Sequence, residues 1–70
     1  MKRPVITMNI IKEDIGYSAH TLIQGKFIGT EGDDFEDLKT NILEVVNLSF
    51  KDQHFTYQME DIVIKRDLII

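Results

Sequence analysis

Along residues 35–50 the apolar side chains recur at the three-and-four spacing of one helix face. Phe35, Leu38, Ile42, Val45 and Val46 set that face, and Leu43 and Phe50 widen it. Glu36, Asp37, Thr40, Glu44 and Asn47 point the other way. Leu48 falls outside the apolar arc, and Lys39 lies at its edge, where a long stem can snorkel to water. Asp34 stands where an N-cap belongs, its carboxylate suited to the free N–H groups of the first turn. Asp37, three residues on, stands in for the Glu or Gln of a capping box.

Before the helix the period changes to two. In residues 5–12, Ile6, Met8 and Ile10 share one side and are expected to face the helix. Val5, Thr7, Asn9 and Ile11 share the other, a mixed set suited to a half-exposed sheet face. Residues 12–16 are turn chemistry, with Gly16 free to take positive φ and Ile15 expected to fold under the hairpin. Residues 17–22 predict a second strand. Gln24, Gly25 and Lys26 predict a turn, and residues 27–30 a short third strand in which Gly29 marks a bulge or a close backbone approach. Beyond the helix, residues 51–54 read as a polar loop. Phe55, Thr56 and Tyr57 are expected to run extended over the helix end, and residues 62–66 form a fourth strand. The order is β-β-β-α-β: an α+β fold with an antiparallel sheet and one helix packed on one face.

Seventy residues bound the chain to a single domain, 1–70. A domain this small buries only about 60% of the surface its unfolded chain exposes. With no cysteine to crosslink it, stability must come from a well-packed core or from burial against another chain, and homo-oligomerisation is expected. The apolar run Leu68, Ile69 and Ile70 points the same way. Lack of cysteine fits a reducing cytoplasm. A net charge of -4 and a pI near 4.9 argue against direct nucleic-acid binding and suit a basic protein partner, or simply solubility. No run reaches the roughly 18 apolar residues of a membrane span. The stretch behind Lys2 and Arg3 is broken by Thr7, Asn9 and Lys12 and has no small-residue cleavage site, so no signal peptide is expected.

The densest candidate cluster is acidic: Glu31, Asp33, Asp34, Glu36 and Asp37. It reads as a docking patch for a basic partner, or as acids gathered where a helix N-terminus favours them. The ligand spacing of a calcium loop is absent, so no metal site is expected. His20 and His54 have no partners at metal-ligand or catalytic spacing. Ser18 and Ser49 lack the surroundings of a nucleophile. A metal-dependent nuclease would gather carboxylates within the strands, where this chain carries almost none. Tyr17 and Phe27 lack the lysines and arginines of a nucleic-acid stacking platform and read as core or hairpin packing. No enzyme activity and no cofactor are expected.

The order of these residues resembles the HicB-like antitoxin domain. Asp14, Gly16, Tyr17 and Ala19 are similar to that family's D-G-Y-x-A hairpin turn, with Ile15 inserted. Gly32, Asp33, Glu36 and Asp37 resemble its G-D-T-x-E-E-A helix start, with Asp34 in place of the capping Thr and Leu38 in place of Ala. Asn41, Ile42, Glu44 and Val46 resemble its N-I-x-E-A-I helix centre. The resemblance spans about residues 5–48, with a last strand at 62–65. The family's P-G loop before the third strand is not reproduced.

The resemblance implies a β-β-β-α-β core likened to a partial ribonuclease H fold. It also implies a role in toxin–antitoxin pairing: binding and masking HicA, a small basic mRNA-cleaving ribonuclease. No catalytic residues carry over. Many relatives continue into a DNA-binding segment, which this chain is expected to lack. The expected toxin-binding residues are Glu31, Asp33, Asp34, Glu36 and Asp37, with Val5, Thr7, Asn9, Ile11 and His20 on the second sheet face as a further surface. The rival expectation is a self-associating structural domain with no toxin partner.

Overall fold

The computed structural model describes residues 3–53 and 56–66. Strand β1, Ile6–Lys12, alternates as its sequence predicts: Ile6, Met8 and Ile10 are buried, and the residues between them are not. It turns through Glu13 to Gly16, closed by the Glu13 N–H donating to the Gly16 carbonyl at 3.0 Å, and returns antiparallel as β2, Tyr17–Ile23. Gln24 and Gly25, with φ of 52° and 76°, form a two-residue hairpin turn of the kind that needs positive φ at both centres. Strand β3, Lys26–Gly32, follows, three residues longer than the alternation predicts.

Helix α1, Phe35–Ser49, starts as expected. The Asp34 carboxylate accepts the Asp37 N–H at 2.8 Å, while the Asp37 carboxylate reaches back to the Asp33 N–H at 3.0 Å. Leu38, Ile42 and Val46 are fully buried against the sheet, Leu48 is exposed, and Lys39 pairs with Glu36 at 2.9 Å over the Phe35 ring. Phe50 closes the helix as its C-cap and packs into the core.

The sheet order is β3-β2-β1-β4. The fold is α+β, with the helix on one face of the sheet. The antiparallel pattern expected throughout holds for the first three strands, but β4, Ile62–Arg66, runs parallel to β1, so the sheet is mixed. The helix explains this. It carries the chain back to the end of the sheet where β1 and β3 begin, so the next strand must run their way.

The approach to β4 covers the helix end at Tyr57 and ties it to Pro4. Tyr57 is buried against Phe50, with ring centroids 5.7 Å apart. Its hydroxyl donates to the Pro4 carbonyl at 2.6 Å, and the Arg3 guanidinium lies 5.3 Å from its ring centre. Arg3 also pairs with Asp61 at 3.0 Å and donates to the Thr56 carbonyl at 2.9 Å. Burial pushes the Tyr57 phenol above its ordinary pKa; Arg3 opposes that shift and Asp61 adds to it. A short 3-10 turn, Met59–Asp61, then leads into β4. Phe55, His54 and residues 67–70 lie outside the described residues.

Candidate functional site

Two glycines set the geometry of one end of the molecule. Gly16 has φ of 82°, and a Cβ there would stand 2.4 Å from the Gly32 carbonyl oxygen. A Cβ on Gly32 would stand 2.5 Å from the Leu38 nitrogen. Only residues without side chains let the β1–β2 turn, the end of β3 and the start of α1 come this close. The result is a cleft of about 300 Å³ lined by Glu13, Ile15, Tyr17, Glu31, Gly32, Asp33 and Asp37.

Three of the five acids singled out from the sequence, Glu31, Asp33 and Asp37, therefore converge on one cleft. The other two do not. Asp34 spends its carboxylate on the helix cap, and Glu36 turns toward Lys39 and a separate hollow with Thr40, Leu43 and Met59. Glu13 joins the cleft from the β1–β2 turn and accepts a hydrogen bond from the Ser18 hydroxyl at 3.1 Å. Nothing in the local pattern marks it, because 18 residues separate it from Glu31 in sequence.

Ile15 does not fold under the hairpin. It stands 88% exposed at the tip of the turn, held outward because positive φ at Gly16 reverses the chain immediately after it. Tyr17 forms the inner wall, edge-on to Phe35 at 6.1 Å and covered by the Lys12 ammonium at 5.2 Å.

Carboxylates predominate at this end, with the Lys12 ammonium beside them, donating to the Glu13 carbonyl at 3.2 Å. Among the described residues the ion pairs are Arg3–Asp61 and Lys39–Glu36, neither of which reaches Glu13, Glu31, Asp33 or Asp37. Arg3, Lys12, Lys26, Lys39 and Arg66 instead lie over aromatic rings. Among the described residues no group of three or more His, Asp or Glu side chains is placed to hold a metal ion.

The remaining candidates are separate from one another. His20 lies on the open face of the sheet, stacked on Phe27 at 6.3 Å and 16°. Ser18 donates to Glu13, and Ser49 donates to the carbonyl of Val45. Phe27 is 68% exposed and so lies outside the core, and of the two expected places it takes the hairpin, its ring packed across β2 and β3 on His20. Its ring lies over Gly29, which accounts for the glycine as a close approach and not as a bulge.

Fold and site together define a small α+β domain with an acidic cleft tipped by one exposed isoleucine. The chain matches no family model, no curated protein and no solved structure. Among the described residues no helix is long and apolar enough to cross a membrane.

Proposed function

We propose that the chain is a binding module: a HicB-type antitoxin domain that masks a small basic HicA-like ribonuclease in the cytoplasm by covering it. The reading draws on the order of motif residues from Asp14 to Val46. The observation that carries it is the convergence of Glu13, Glu31, Asp33 and Asp37 on one cleft beside an exposed Ile15. An apolar anchor beside carboxylates that make no ion pair among the described residues suits a basic surface with one apolar recess. The acids supply steering and exclude acidic partners; the isoleucine supplies desolvated contact area.

Copurification tests the reading. With the chain as bait at low salt in its source cell, a small basic ribonuclease is expected in the eluate, released as salt rises. The double variant Glu13→Gln/Asp33→Asn, which leaves both helix-capping carboxylates intact, should retain less of it, and Ile15→Asp less again. If no such protein copurifies at low salt, the partner claim fails. A neighbouring reading frame for a short basic protein with a lone histidine would be independent support. The rival reading, a self-associating structural domain with no toxin partner, is favoured by Leu22, Phe27 and Val63, exposed on the mixed face of the sheet turned away from α1. It predicts oligomers and no captured ribonuclease.

A further inference from the structure

Residues 56–66, the approach to β4 and the strand itself, join the rest of the molecule along one seam. Among the described strands β4 pairs with β1 alone, at the edge of the sheet. Helix α1 packs on β3 and β2, over the other half of the sheet. Residues 56–58 run outside any ladder and are held by side chains. The Asn47 amide grips Tyr57, the Tyr57 hydroxyl reaches Pro4, and Arg3 reaches Asp61 and Thr56. Tyr57 and Ile62 are the buried apolar residues of this segment; the rest of the described core lies between Ile6 and Phe50.

The backbone of β1 faces two ways. The Glu13 N–H bonds the Gly16 carbonyl at 3.0 Å, and antiparallel pairing alternates from there, so Ile11 and Asn9 turn their N–H and C=O groups to β2. Met8 and Ile10 turn theirs to β4, beside Ile64 and Arg66. We propose that residues 56–66 form a strap that opens as one unit while β1, β2, β3 and α1 stay folded, and that the strap gates the outer edge of β1. With the strap closed, the backbone groups of Met8 and Ile10 are paired. With it open, they form a bare edge of the kind to which an extended segment adds as a new strand. Arg3 is the pin. It pairs with Asp61, donates to the Thr56 carbonyl and lies over the Tyr57 ring, so one side chain outside the strap holds three residues within it.

Opening the strap costs less than unfolding the chain. It uncovers Tyr57, Ile62 and one flank of β1, but leaves the β1–β2 and β2–β3 ladders and the helix cap intact. The strap moves as a unit because its middle is bonded within itself. The Gln58 N–H donates to the Asp61 carboxylate at 2.8 Å, and the Asp61 N–H donates to the Gln58 carbonyl at 2.9 Å. Release of Tyr57 is thereby passed to Ile62, the first residue of β4. The device acts on an edge of the sheet, away from the acidic cleft, and does not depend on the toxin reading.

Native-state amide exchange of the full chain, followed residue by residue by NMR at low urea, tests the proposal. After correction for intrinsic rates, Met8 and Ile10 should exchange at least about tenfold faster than Asn9 and Ile11, with a shallower urea dependence. Two variants sharpen the comparison. Asp34→Ala removes a helix-cap bond that survives strap opening, so it should speed Asn9 and Ile11 about fivefold and leave Met8 and Ile10 unchanged. Arg3→Ala removes ties lost in strap opening and in global unfolding alike, so it should speed all four about fivefold. The wild-type comparison stands alone if a variant misfolds. Equal exchange at all four amides, Asp34→Ala speeding all four alike, or Met8 and Ile10 unmoved by Arg3→Ala would each overturn the proposal.

Discussion

The side-chain amide of Asn47 holds both backbone groups of Tyr57. Its Nδ2 donates to the Tyr57 carbonyl at 3.1 Å, and its Oδ1 accepts the Tyr57 N–H at 2.7 Å. One helix residue thus satisfies a peptide group in a segment that has no ladder of its own, and does so where the segment is half-buried. The clamp sets Tyr57 against Phe50 and brings its hydroxyl to Pro4, so the chain's start, the helix end and the approach to β4 meet at one residue.

Asn47→Ala should therefore cost more than a surface change. It removes the amide that binds both the N–H and the C=O of Tyr57 in a partly buried setting, at about 1–3 kcal/mol. A domain of this size has only about 5 kcal/mol to lose. Urea unfolding should show a midpoint shifted down with an unchanged slope. A midpoint within error of wild type would mean the clamp contributes nothing.

Tyr57 gives the chain an alkaline limit. Its folded phenol holds its proton more tightly than the unfolded one because ionisation would bury a charge. The stabilisation is complete below about pH 10, the ordinary tyrosine value, and is lost as pH rises through the raised folded value. Tyr57→Phe should lose about 1 kcal/mol at neutral pH with the Pro4 hydrogen bond, yet show a shallower fall above about pH 10. Parallel curves for the two proteins across that range would count against the assignment.

The helix cap tests the Asp34 position on its own. Asp34→Ala removes the acceptor for the Asp37 N–H and should cost about 1 kcal/mol, whereas Asp34→Thr keeps an acceptor and should cost less. Thermal unfolding separates them, with a shift of about 4–8 °C for each kcal/mol in a domain this size. Equal loss in both variants would show that charge at the helix end, not the hydrogen bond, is the stabilising part.

Two glycines with similar positive φ should respond differently to alanine. Gly25 has φ of 76° and open space where a Cβ would go, so Gly25→Ala carries only the left-handed penalty of about 1–2 kcal/mol. Gly16 has φ of 82° and the Gly32 carbonyl at 2.4 Å, so Gly16→Ala adds a backbone collision and should exceed its counterpart by at least about 1 kcal/mol. The same variant should open the acidic cleft, read as faster amide exchange at residues 13–17 and 31–33. Equal costs at the two sites would mean the turn yields without strain.

Features decided within a few residues of one another were legible along the chain. The Asp34 cap, the inward face of α1 at Leu38, Ile42 and Val46, the inward side of β1, and the bounds of β4 all follow from contacts two to four positions apart, which periodicity and capping report directly. The number and order of the elements follow from the same signals. How those elements meet was settled by packing between distant segments. The direction of β4 depends on where the helix delivers the chain, and no residue within β4 records that. The gathering of Glu13 with Glu31, Asp33 and Asp37, the outward Ile15, and the grip of Asn47 on Tyr57 join segments that are far apart in sequence or separated by a turn. The choice between core and hairpin for Phe27 was left open for a related reason. Alternation assigns residues to two faces, but a single helix covers only one of them, and which face stays open to another molecule is settled by packing across the sheet.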